Sequence, residues 1–224
     1  MQVPIYSISK PFLAQAILQL KVDLQTEVRA LLPQLPVYFD NRKLTNLLNH
    51  TSGLNDYGHL ADYANSVAEG LPAWEVPELL DRCESLDHNL TDFNYSNIGY
   101  LALRLLVESE TGLSYFAALQ ELVFQPLGID VFTEWTHPHT EVPEYYPKWV
   151  YSGTFLCDDE AIAPALAVLV ANRKITHGIE LGLQALSYQD TGFVNPGYGY
   201  GFMIDGNPAV AIGHGGGGPE IGRA

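Results

Sequence analysis

Pro11 decides how this chain can begin. A proline has no backbone N–H and a fixed φ, so it fits a helix only in the first turn. The residues after it, Phe12, Leu13, Ala16, Ile17, Leu20 and Leu24, recur at helical spacing. One apolar helix over 11–24 is therefore predicted, with Ser7-Ile8-Ser9-Lys10 as its opening turn. A hydroxyl and an amine three residues apart share one face, so the lysine can reach the serine oxygen and relay its proton. An unassisted serine is a poor nucleophile and needs such a base. Ser7 would also lie among the unpaired N–H groups of a helix N-terminus, which suit a developing oxyanion. Taken alone, the same four residues more often mean a capping serine followed by a solvated lysine, and the rest of the chain has to separate the two.

The chain has 224 residues, enough for one good-sized core, and 47% hydrophobic against 17% charged residues is a globular balance. A formal net charge of −15 argues against binding nucleic acid or an anionic membrane through bulk electrostatics. Cys83 and Cys157 are too few for a disulfide framework and lack metal-ligand spacing, so both read as core thiols. No apolar run approaches the roughly 20 residues of a membrane-spanning helix. Only six residues precede Ser7, too few for a signal peptide. The chain as it stands is expected in the cytoplasm, or in the periplasm or outside the cell if its N-terminus is shortened.

A second helical pattern covers 22–35, and 44–48 leads into the polar turn His50-Thr51-Ser52-Gly53. His50 reads as a ring that hydrogen-bonds the turn and holds a loop, rather than as a catalytic group. Short helices are expected over 62–69 and 77–83. Tyr95-Ser96-Asn97 then precedes a clear amphipathic helix with Ile98, Leu101, Ala102, Leu105 and Leu106 on one face and Gly112 as its stop. Ser96 or Asn97 would cap it. Helices follow over 114–124 and 158–172, separated by an aperiodic aromatic stretch, 134–150. His137 and His139 in that stretch have no third ligand at a helical or hairpin spacing, and no metal site is expected. Near the end Tyr198, Tyr200, Phe202 and Ile204 alternate as a strand that pairs back through Asp205-Gly206-Asn207-Pro208 as a hairpin over 198–213. It runs into His214-Gly215-Gly216-Gly217-Gly218, where serial glycines let a backbone come close to a ligand.

Ser7-Ile8-Ser9-Lys10, Tyr95-Ser96-Asn97 and His214-Gly215-Gly216 together resemble, in type and order, the motif set of the serine β-lactamase and penicillin-binding-protein family. The resemblance is closest to the class C-like branch, with its esterases and D-peptidases. The stretches Leu47 to Leu54, Gln125-Pro126-Leu127-Gly128 and Tyr151-Ser152-Gly153 also look like those of family members. The resemblance implies Ser7 as the acylated nucleophile, with Lys10 as base or as the group that keeps Tyr95 ionised to act as base. It implies Asn97, His214, Gly216 and Gly217 as substrate-binding residues, with the N–H groups of Ser7 and Gly217 as the oxyanion hole. It implies no metal and no organic cofactor. His214 stands where lactamases commonly carry lysine, which moves the expectation toward an esterase or D-peptidase.

The family sheet takes strands from both ends of the chain, whereas one hairpin is visible here. The expected architecture is thus α+β and β-lactamase/DD-peptidase-like: one shortened domain over 1–224, with a helical lobe over about 11–190 and an incomplete antiparallel sheet. A second chain could complete that sheet. The expected activity is hydrolysis of an ester, a D-peptide amide or a β-lactam through an acyl-serine. The competing reading is a non-catalytic relative that binds peptides or cell-wall fragments.

Overall fold

The computed structural model describes residues 1–90, 93–136, 147–172, 184–185, 193–206 and 209–218. The first helix spans Lys10–Gln19 with Pro11 in its first turn. Every residue from Lys10 to Ile17 is buried, so the helix is core on all sides rather than amphipathic. It stops earlier than the sequence suggests, because Lys21 turns the chain at φ +59°. The second helical pattern, 22–35, shrinks to Val28–Leu31. Its first half is instead drawn out along a neighbouring segment: Val28 N donates to Arg42 O at 2.8 Å, Leu44 N to Thr26 O at 3.1 Å and Thr45 N to Leu24 O at 3.0 Å. Those cross-chain bonds compete with the local i→i−4 bonds a helix would need.

The helix Asn97–Thr111 packs against the first helix. Ser96 Oγ accepts from Gly99 N at its start, and Gly112, left-handed at φ +68°, ends it. Ala61–Ala68, Val76–Cys83 and Asp159–Ala171 are helical as the sequence predicts. Tyr115–Leu119 continues through a wider π-type turn over Gln120–Phe124. Cys83 and Cys157 are free and buried. Among the described residues no helix is long and apolar enough to cross a membrane. His137 and His139 lie outside the described residues.

The described residues form two antiparallel sheets. In the first, β1 (Gln2–Pro4) and β2 (Phe132–Thr133) pair on either side of β3 (Leu156–Asp158). Phe12, Phe132 and Phe155 meet edge to face at 4.7–5.9 Å between centroids, joining the first helix to this sheet. The second sheet runs in sequence order through β4 (Gln184–Ala185), β5 (Pro196–Tyr198), β6 (Met203–Asp205) and β7 (Ala211–Gly213). The C-terminal region therefore holds more than the expected hairpin.

The predicted strand over Tyr198 to Ile204 is also broken in two. Gly199 N donates to Phe202 O at 2.9 Å, and Gly201 takes φ +80°. A Cβ on Gly201 would stand 2.8 Å from Lys10 O and 2.9 Å from the Ala14 methyl. The bare glycine lets this turn press on the first helix, and Tyr198, Tyr200, Phe202 and Ile204 all bury as the alternation implies.

Candidate active site

The opening turn is a 3-10 turn over Tyr6–Ser9. It is tied to the segment after Tyr151: Ile5 N donates to Phe155 O at 3.1 Å, Tyr6 N to Thr154 Oγ1 at 2.9 Å, and Ser9 Oγ to Gly153 O at 2.6 Å. Gly153 sits at φ +89°, and a Cβ there would be 2.3 Å from the Tyr115 ring, so only glycine brings its carbonyl within reach of Ser9. These ties leave the Lys10 side chain fully buried and aimed back at Ser7.

Lys10 Nζ donates to Ser7 Oγ at 3.0 Å, to Asn97 Oδ1 at 2.7 Å and to Ser152 Oγ at 3.5 Å. It lies 5.0 Å from the centroid of the Tyr95 ring and 5.3 Å from that of Tyr100. Three oxygens satisfy an ammonium, and loss of one proton would leave a lone pair for the Ser7 hydroxyl. Burial lowers the Lys10 pKa from 10.5 to about 7, with the Asp56 carboxylate pulling the other way. The solvated-lysine reading fails on that burial.

Asn97 bridges two groups. Its Oδ1 faces Lys10, and its Nδ2 donates to Asp56 Oδ2 at 2.7 Å. His50 stands behind Tyr95, the ring centroids 4.2 Å apart. Its Nδ1 accepts from Ser96 N at 3.1 Å and its carbonyl accepts from Asn94 N at 2.9 Å. This is the loop-holding part expected of His50. Burial, then the Lys10 charge, keeps the ring neutral, its pKa well below the usual 6.5.

His214 approaches from the end of β7, its ring centroid 6.1 Å from that of Tyr95. A carbonyl only accepts, so the contact of His214 Nδ1 with Gly215 O places a proton on Nδ1. Nε2 then accepts the Tyr198 hydroxyl at 3.0 Å. Burial first, then the Lys10 charge, hold His214 down to about 3. This favours the neutral imidazole near neutral pH.

Of the following glycines, Gly216 and Gly218 are wedged against the opening turn. A Cβ on Gly216 would stand 2.4 Å from Ile5 O, and one on Gly218 2.3 Å from the Tyr6 ring. Between them Gly217 faces open space.

Ser7, Lys10, Tyr95, Asn97, His214, Gly216 and Gly217 thus come from distant stretches of sequence to one place. Asp56, Ser152 and Tyr198 join them, although the sequence gives none of the three a chemical role. Ser152 is visible there only as part of the Tyr151-Ser152-Gly153 stretch. Nothing in the spacing marks Asp56, because its partner Asn97 is 41 residues away.

A family model described as Beta-lactamase matches residues 2–222. Penicillin-binding protein 4* of Bacillus subtilis (strain 168) is 27% identical over 175 residues, 69% of this chain; the chain spans 36% of the length of that curated relative. A D-stereospecific amidohydrolase from Streptomyces sp. superposes with a TM-score of 0.78 at 21% identity, over 96% of this chain and 75% of its own. D-amino acid amidase from Ochrobactrum anthropi SV3, solved with D-phenylalanine, gives 0.72 at 20%, over 96% and 78%. The likeness to these two structures is one of fold. The match over residues 2–222 goes further, and it places the chain in the beta-lactamase family.

Proposed function

We propose that the protein is a serine hydrolase working through an acyl-serine at Ser7, with Lys10 as the base. The observation that carries this reading is a fully buried amine, its pKa near 7, 3.0 Å from a serine hydroxyl. Neutral Lys10 takes the Ser7 proton as Oγ bonds to the substrate carbonyl carbon, giving a tetrahedral oxyanion. The N–H groups of Ser7 and Gly217, the pair that the family resemblance implies, receive that oxyanion. Collapse breaks the bond to the leaving amine or alcohol, which takes the proton from Lys10. Water then attacks the acyl-serine by the reverse proton path and restores Ser7. Tyr95, beside the Lys10 amine, would share in the proton transfer, and Asn97 would orient the substrate from its second Nδ2 proton.

The substrate class follows from His214. A neutral imidazole offers no standing cation to a substrate carboxylate. Esters and amides without a free carboxylate next to the scissile bond are therefore favoured over β-lactams and carboxylate-terminated peptides. The names of the two structural relatives add D-configured amides as the first compounds to try.

Intact-mass measurement after treatment with a fluorophosphonate tests the reading. The expected result is one adduct on the parent and none on Ser7→Ala. A folded parent that takes no label, yet binds peptide or cell-wall fragments, would overturn it in favour of a binding protein.

A further inference from the structure

Asp56 lies two residues past the Leu47 to Leu54 stretch and outside the three motifs that carry the family resemblance, yet its carboxylate ends a chain of short contacts that starts at Ser7. Ser7 Oγ, Lys10 Nζ, Asn97 and Asp56 are linked at 3.0, 2.7 and 2.7 Å. We propose that Asp56 is a positioning residue for the Ser7–Lys10 pair: it fixes which way the Asn97 amide points and serves as the counter-charge of the Lys10 ammonium. This rests on the reading of Ser7 as nucleophile and Lys10 as base.

The amide orientation follows from valence. An ionised carboxylate only accepts, so the Asn97 atom that faces Asp56 is the NH2 group, and the carbonyl oxygen is left for Lys10. With Asp56 gone, a flipped amide would aim N–H groups at the lysine.

Asp56 is itself held from several sides. Its Oδ1 accepts from Gly58 N at 3.3 Å. Burial pushes its carboxyl up from the usual 3.8, while the Gly58 N–H, the Lys10 charge and Asn97 pull it back toward the ionised form. Asn55 N donates to His88 Nδ1 at 3.2 Å, and Ser96 Oγ donates to Asn55 O at 3.2 Å. Asn94 Nδ2 donates to Leu54 O at 2.8 Å. The loop bearing Asp56 and the loop bearing Tyr95 and Asn97 are thereby laced together.

Among the described residues, the other side chains hydrogen-bonded to the Lys10 amine carry no opposing charge. Ser7, Ser152 and Asn97 are neutral, and Tyr95 and Tyr100 present ring faces. His50 and His214, which would repel the ammonium if protonated, are both held neutral by burial and by Lys10. Among the described residues, Asp56 is the charge that acts to keep the Lys10 proton on.

The test compares the parent with Asp56→Asn and Asp56→Ala, each checked for folding by circular dichroism. Lys10 is titrated by lysine 13Cε NMR, its signal assigned by its loss in Lys10→Arg. The rate of fluorophosphonate labelling of Ser7 is followed against pH in parallel. In Asp56→Asn the Lys10 titration is expected to fall by about one pH unit, and the acid limb of labelling to move with it. The labelling plateau falls about threefold in Asp56→Asn, whose amide oxygen still accepts from Asn97. It falls about thirtyfold in Asp56→Ala, where the Asn97 amide is free to flip. A Lys10 titration unmoved in both variants overturns the proposal, as does a labelling loss uniform across pH. A parent that is never labelled defeats the hydrolase reading, and the NMR titration still decides the counter-charge.

Discussion

Replacing Lys10 by methionine removes the buried amine while keeping a side chain of similar length, and the structure sets how the stability difference must vary with pH. The folded-state pKa lies near 7 against 10.5 in an open chain. Between those values the unfolded chain binds a proton that the folded one does not, so stability rises with pH across that window. Below about 7 the full penalty is present; above 10.5 it is gone. A tenfold change in proton affinity corresponds to about 1.4 kcal/mol, so the penalty at pH 7 is about 4 kcal/mol, falling to about 1.4 kcal/mol at pH 9.5. Lys10→Met carries no such penalty. Its lost contacts with Asn97, Ser7 and Ser152 weigh nearly equally at both pH values, and the titrations of groups remote from Lys10 cancel between the two proteins. The parent should therefore gain on the variant by about 3 kcal/mol from pH 7 to 9.5. Urea unfolding followed by tryptophan fluorescence, run on both proteins at several pH values in that range, measures the gap. A gap that stays constant would mean that the amine titrates as in water, and the account of Lys10 as a base near neutrality would fall with it.

Gly153→Ala forces a side chain into left-handed backbone and onto the Tyr115 ring. A loss of about 3 kcal/mol or more is expected in thermal or urea unfolding, with labelling of Ser7 reduced because the anchor of Ser9 shifts. A variant as stable as the parent would show that this tie does not hold the opening turn. His214→Lys adds a standing cation at the end of β7. The ratio of kcat/KM for a D-phenylalanyl peptide with a free carboxylate to that for its amide should rise about tenfold. An unchanged ratio would remove His214 from substrate selection.

Much of this architecture is written in local chemistry. Pro11 places Ser7 and Lys10 in one turn, Ser96 and Gly112 bound the helix that carries Asn97, and the alternation from Tyr198 to Ile204 marks the residues that bury. These are short-range effects: a missing N–H, a capping oxygen, a glycine free to turn left-handed, a side chain that faces in or out. The same short range explains the misreadings. The apolar pattern over 22–35 suits a helix until Arg42 to Thr45 offers it a partner. The alternating run near the C-terminus reads as one strand until the turn at Gly201 meets the first helix.

The electrostatics of the site come from packing alone. Taken along the chain, a lysine, two histidines and an aspartate have ordinary solution chemistry. Folding removes water from Lys10, His50 and His214 and leaves Asp56 as the counterweight of Lys10. Desolvation depends on which groups are buried together, and no spacing along the chain records it.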